Sequence, residues 1–94
     1  MAYRHLVLFR LHDDLTADDV DRARRTLDEL GAASGATAWR VAESLDDRKG
    51  RVLVEDATFE SEAAFRAFHT SEAHRRAVEA MSELSDWLTG DHEI

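Results

Sequence analysis

The 94-residue chain contains no cysteine and no proline, and Lys49 is its only lysine. Without cysteine there are no disulfides, no thiol nucleophiles and no cysteine-ligated zinc or iron–sulfur centres. The absence is typical of proteins in a reducing compartment, and we expect a cytoplasmic protein. The apolar run Leu6–Phe9 is too short for a signal peptide or a membrane span.

Basic charge is in deficit, because 12 Lys and Arg against 20 Asp and Glu give a formal net charge of −8 and a pI of about 4.9. An acidic surface repels phosphate backbones, so nucleic-acid binding is not expected, and no basic run indicates a membrane surface. Large apolar side chains are scarce, with four Phe, two Trp and one Tyr. We expect a single domain over residues 1–94 that gains stability when a partner chain covers one of its faces.

Hydrophobic patterning predicts strands and helices in the order βαββαβ. The predicted strands span residues 3–11, 37–44, 51–60 and 88–94. Helices are predicted from a cap at Thr16 to a stop at Gly31, and from Ser61 to about Trp87 with a break between Thr70 and the N-cap Ser71. This order predicts an α+β, ferredoxin-like fold, in which both helices cover one face of a four-stranded antiparallel sheet.

The uncovered face of that sheet carries Leu6, Leu8, Val52 and Val54. Two helices cover only one face, and an exposed apolar patch of this kind favours a partner. A second copy of the chain is the simplest cover. The sequence therefore predicts a homodimer that associates face to face through its sheets as a dimeric α+β barrel.

Three stretches, YRHLVLFRL, VEDATFESEAAFRAFHTSEAH and the terminal DHEI, resemble the stress-responsive A/B barrel (Dabb) family along essentially the whole chain. The resemblance implies a ferredoxin-like chain that dimerises through its sheet. Most members have no known chemistry. The best-defined enzyme of the family, the plant olivetolic acid cyclase, closes a linear polyketide by intramolecular aldol condensation without a metal or an organic cofactor.

The motif of that cyclase carries over to this chain in part. Its strand-1 histidine falls on His5, and the histidine at the start of its last helix falls on His74. Its catalytic tyrosine falls on Phe68, which has no hydroxyl, and its third-strand pocket histidine falls on Leu53. The resemblance thus implies a cofactor-free, cyclase-like catalyst with an altered set of polar pocket groups.

The predicted topology directs His5 and Glu55, on neighbouring central strands, toward a cleft that the apolar stripe carrying His74 also faces. We interpret the three as candidate catalytic groups. The start of a helix disfavours imidazolium, which suits His74 to the role of general base, while His5 polarises a carbonyl and Glu55 orients its ring. A predicted apolar substrate pocket completes the cleft; its residues are Val7, Phe9, Ala23, Leu27, Leu53, Phe59, Phe65, Phe68, Met81 and Trp87.

Structural explanations compete with each catalytic assignment. The position of His74 is equally typical of a helix-start residue with a partly solvated side chain. The position of His5 is equally typical of a core histidine bonded to a backbone carbonyl or to Glu55. Glu55 also fits a partner of Arg40 across the sheet, or a group at the solvated mouth of the cleft. We expect His69 to be solvent-exposed. The sequence around His12 and His92 gives no indication of a functional role for either residue.

Several function classes follow from these alternatives. His5, Glu55 and His74 would form a two-histidine, one-carboxylate metal set, but no spacing motif supports one. Ser61 and Ser71 are explained as helix caps, and no nucleophile elbow or phosphate loop is present. We therefore expect no cofactor and no metal. A non-catalytic, stress-responsive or ligand-binding dimer and a haem-binding, monooxygenase-like protein remain the alternatives to a cyclase-like enzyme.

Overall fold

The computed structural model describes all residues from 1 to 94 and has a ferredoxin-like fold. Its strands form one antiparallel sheet in the order β2-β3-β1-β4, so β1 and β3 are the central pair. The elements are β1 (Tyr3–Leu11), α1 (Ala17–Ala32), β2 (Ala38–Glu43), β3 (Val52–Phe59), α2 (Glu62–His69), α3 (Glu72–Leu84) and β4 (Ser85–Glu93). The βαββαβ prediction is confirmed, with the second helical region split at Thr70 as expected.

Helix α1 begins with a capping box. The backbone N–H of Asp19 donates to Thr16 Oγ1, and the backbone N–H of Thr16 donates to Asp19 Oδ2, each at 3.1 Å. The expected stop at Gly31 is wrong, because the helix continues to Ala32. Gly31 has a packing role instead: a Cβ there would lie 2.2 Å from the indole of Trp39 on β2.

Helices α2 and α3 also begin at serine caps. Ser61 Oγ accepts from the N–H of Ala64, and Ser71 Oγ accepts from the N–H of His74. The expected extension of α3 to Trp87 is wrong, because α3 ends at Leu84. From Ser85 onward the chain pairs along the full length of β1. This ladder satisfies the otherwise open edge of β1, and its backbone hydrogen bonds outweigh the helical pattern of the side chains.

The core lies between the helices and one face of the sheet. Burial alternates strictly along β3, where Leu53, Glu55, Ala57 and Phe59 are all buried on the helix side. The other face is only partly covered, and Leu8 is 45% exposed there. No helix in the chain is both long enough and apolar enough to cross a membrane.

Candidate functional site

A cavity of about 600 Å³ opens between the helix side of the sheet and the helices. Half of its 18 lining residues are hydrophobic, so it offers an apolar space with a few polar groups. The three candidate catalytic residues, His5, Glu55 and His74, all line it. Their contacts with one another and with their neighbours define what this space can do chemically.

His5 lies on the central strand β1 between two carboxylates. Its Nδ1 is 2.7 Å from Oδ1 of Asp91, the residue directly opposite on β4, and its Nε2 is 3.2 Å from Oε2 of Glu55 on β3. The hydroxyl of Tyr3 donates to the second oxygen of Asp91 at 2.7 Å. The chain of contacts therefore runs from Tyr3 near the surface through Asp91 and His5 to Glu55.

The two carboxylates set the charge of His5. Burial of the ring lowers the pKa of His5, but hydrogen bonds and attraction from Glu55 and Asp91 outweigh that effect, and the pKa is raised overall. The same carboxylate affects Tyr3, because burial and the bond to Asp91 raise the pKa of its phenol to about 12. His5 is therefore the group in the cavity that favours the protonated form.

His74 is shifted in the opposite direction. Its ring is half-buried at the start of α3, with its centroid 5.0 Å from that of Phe68 and 4.7 Å from that of His69. Burial lowers the pKa of His74 most, followed by repulsion from His69 and then from His5. The cavity thus contains one imidazole that favours the charged form and another that favours the neutral form.

The buried ring of Phe68 packs against both imidazoles. Its ring is 3% exposed and packs 6.1 Å from the ring of His5 and 5.0 Å from that of His74. It also contacts Phe59 and Trp39 in the core. The ring that replaces the tyrosine of the cyclase motif therefore supports both histidines without facing the open cavity.

The predicted apolar lining divides into two groups. Six of the ten residues line the cavity, and these are Val7, Phe9, Leu27, Phe65, Met81 and Trp87. The other four, Ala23, Leu53, Phe59 and Phe68, lie beneath it in the closed core, where at most 3% of each is exposed. Sequence periodicity does not distinguish a cavity wall from the layer behind it. Trp87, which was predicted at the end of α3, lines the cavity from β4 instead.

Two further features of the site differ from expectation. The proposed pairing of Glu55 with Arg40 does not occur, since Arg40 lies opposite Asp56 on the other face of the sheet. His69 is exposed as expected, yet it also lines the cavity and packs against Phe65 at 5.5 Å between ring centroids.

Asp91 was not identified from the sequence. Its one sequence signal is alternation within the terminal segment, which places Asp91 on the same face as Trp87 and Thr89 once that segment is taken as a strand. Thr89 and Asp91 both line the cavity. No group of three or more histidine, aspartate or glutamate side chains is placed to hold a metal ion.

The fold and the site together identify a ferredoxin-like domain whose sheet and helices enclose a small apolar cavity. The sequence model of the family described as Stress responsive A/B Barrel Domain (Dabb) matches residues 3–93. The chain belongs to that family. Among curated proteins, no sequence relative matches the chain.

Solved structures support the fold over the whole chain. A dimeric ferredoxin-like protein of unknown function from Thermobifida fusca has a TM-score of 0.86 and 25% identity, over 100% of this chain and 92% of that one. A Dabb family protein from Mesorhizobium loti has a TM-score of 0.85 at 18% identity, over 99% and 96% of the two chains. A hydroxynitrile lyase from Passiflora edulis has a TM-score of 0.85 at 19% identity, over 99% and 93%.

Proposed function

We propose that the chain is a cofactor-free catalyst of proton transfer at a carbon next to a carbonyl group, acting on a small, partly aromatic molecule. The observation that carries the proposal is the pair of imidazoles on one apolar cavity whose pKa values are displaced in opposite directions. Titratable groups whose environments separate their pKa values are the usual basis for an acid and a base in one site.

In the proposed reaction the neutral imidazole of His74 removes a proton from the carbon next to the carbonyl. The electron pair of the broken C–H bond moves toward the carbonyl oxygen, where the imidazolium of His5 stabilises the developing negative charge. Nε2 of His5 suits this role better than Nδ1, because its contact with Glu55 is 3.2 Å, whereas Nδ1 is held by Asp91 at 2.7 Å.

Two outcomes are open to the enolate that forms. Return of the proton from His74 to a different carbon would give an isomer. Attack of the enolate carbon on a second carbonyl of the same molecule would close a ring, as in the cyclase-like reaction, and His74 would then protonate the new alkoxide. Because Phe68 replaces the tyrosine of the cyclase motif, its ring supplies no hydroxyl for either step.

The test is solvent-deuterium exchange, followed by NMR at the carbons next to the carbonyl in a panel of aryl-alkyl ketones and 1,3-diketones. We expect His74→Gln to slow the exchange at least about 100-fold, the lower end of what general acid–base catalysis contributes. His12→Gln is the matched control, since His12 does not line the cavity. Binding of ketones with no exchange above the buffer rate would contradict catalysis and favour a non-catalytic ligand-binding protein.

We further propose that two copies associate through the outer sheet face that includes Leu6, Leu8, Val52 and Val54. Support comes from exposure on this face, because Leu8 is 45% exposed and its neighbour on β4, Leu88, is 71% exposed. An apolar patch on the flat face of a sheet favours a self-complementary contact. The protein from Thermobifida fusca is itself described as dimeric.

A further inference from the structure

The carboxylate of Glu55 has fewer partners than a buried acid normally has. Glu55 is 2% exposed and lines the cavity, and its one close polar contact in the chain is His5 Nε2 at 3.2 Å. No backbone N–H or hydroxyl donates to it. Buried carboxylates are ordinarily satisfied by several donors, because leaving acceptor capacity unused in an apolar setting is costly. The unused capacity of Glu55 therefore points to a donor that the ligand brings.

The fixed charges around the cavity oppose a negatively charged ligand. Glu55 and Asp91 face a single neighbouring imidazole, so the cluster retains a negative charge when both carboxyl groups are ionised, even with His5 protonated. Arg75 is the one arginine on the cavity wall, and its guanidinium is bound by Glu72 and Glu79 on its own helix. No unengaged arginine or lysine lines the cavity to bind a carboxylate or a phosphate.

The cavity wall at the Phe9 end of β1, on the same sheet face as His5, is apolar. Phe9 and Trp87 pack with ring centroids 5.6 Å apart, and Leu27 and Met81 lie on the same cavity. This wall suits the hydrocarbon or aromatic body of a ligand whose polar head lies near His5 and Glu55.

We propose that Glu55 accepts a hydrogen bond from a hydroxyl group of the ligand, so that the cavity takes uncharged, hydroxyl-bearing apolar compounds and rejects carboxylates and phosphates. The inference rests on the proposed function for the location of the site and adds the class of substrate to it. An uncharged hydroxyketone or phenolic ketone meets the requirements of both proposals. Its carbonyl lies at His5, as the reaction needs, and its hydroxyl donates to Glu55.

Three matched probes test the head group without requiring turnover: 4-phenyl-1-butanol, its methyl ether and 4-phenylbutanoate, each titrated at pH 7.5 and followed by NMR shifts of the cavity residues. We expect the alcohol to bind at least tenfold more tightly than the carboxylate and severalfold more tightly than the ether. Equal or tighter binding of the carboxylate overturns the proposal, and so does equal binding of the alcohol and the ether. Absence of binding by all three probes also overturns it.

Glu55→Gln is the matched variant, because it keeps the shape of the side chain while it removes the charge and adds an N–H donor. We expect the preference for alcohol over carboxylate to fall below about threefold in this variant and to persist in the surface control Glu83→Gln. If Glu55→Gln does not fold, the probe series on the unmodified protein still decides the question. Head-group selectivity without deuterium exchange would support this inference and count against catalysis. Deuterium exchange without head-group selectivity would support catalysis and overturn this inference.

Discussion

Gly31 offers a stability test whose sign is opposite to that expected from helix propensity. In a helix, alanine is favoured over glycine by up to about 1 kcal/mol, and less near the helix end, where Gly31 lies. Here the alanine Cβ would lie 2.2 Å from Cδ1 and 2.3 Å from Nε1 of Trp39. Overpacking of this kind costs about 1–3 kcal/mol. We expect Gly31→Ala to lower the free energy of unfolding by about 1–2 kcal/mol.

Thermal and urea unfolding at one fixed protein concentration measure this change, which corresponds to a fall in Tm of about 4–15 °C for a domain of this size. In a Trp39→Ala background the obstruction is gone, and the same Gly31→Ala change should stabilise the protein by up to about 1 kcal/mol. A higher Tm for the single variant, or the same effect in both backgrounds, would refute the assignment of Gly31 to indole packing.

The displaced indole should also be detectable at the site. Trp39 packs edge-on against Phe68 at 5.7 Å between ring centroids, and Phe68 packs against His74 at 5.0 Å. Gly31→Ala should therefore move the imidazole resonances of His74 while leaving those of His12 in place. A loss of stability without any change at His74 would show that the core absorbs the strain before it reaches the cavity.

Three more outcomes are expected. Leu88→Asp should convert the proposed dimer to a monomer in sedimentation experiments, whereas Leu45→Asp, at a fully exposed loop position, should not. Asp91→Asn should lower the pKa of His5 in an NMR titration, because it removes the closer of two negative partners; an unchanged titration would contradict the pairing. The pKa of His74 is lowered in the folded protein, so His74 binds a proton more readily in the unfolded chain than in the folded one. Its contribution to stability should be lost as pH falls below about 6.5, and a His74→Gln variant should be less sensitive to acid in that range.

Local signals in the sequence were enough for the strand order and most of the elements. The caps at Thr16, Ser61 and Ser71 were predictable because their hydroxyls act within three residues. The end of α3 was not, because the side chains from Ser85 to Leu88 continue a helical stripe. Strand formation there depends on the open edge of β1, some 75 to 80 residues earlier in the chain. Pairing at that distance leaves no local signature.

The same limit applies to the site. His5, Glu55 and His74 could be brought together from topology alone, since strands β1 and β3 are central neighbours and α3 covers them. Asp91 could not, because its position opposite His5 follows from the register of β4, which the sequence leaves undetermined. The charge of His5 depends on that register, so its preference for the protonated form was equally inaccessible.

Topology therefore gives two identical side chains opposite shifts in pKa. His5 lies on a central strand and has a carboxylate from each neighbouring strand, Glu55 on one side and Asp91 on the other. His74 lies at the start of a helix and has aromatic rings and a second histidine around it. Exchanging those surroundings would exchange the directions of the two shifts, because each pKa is set by neighbours rather than by the imidazole itself. A change in β4 register by one residue would turn Asp91 to the opposite face and leave Glu55 as the only carboxylate beside His5. The proposed acid–base pair thus depends on the β1–β4 ladder as directly as on either histidine.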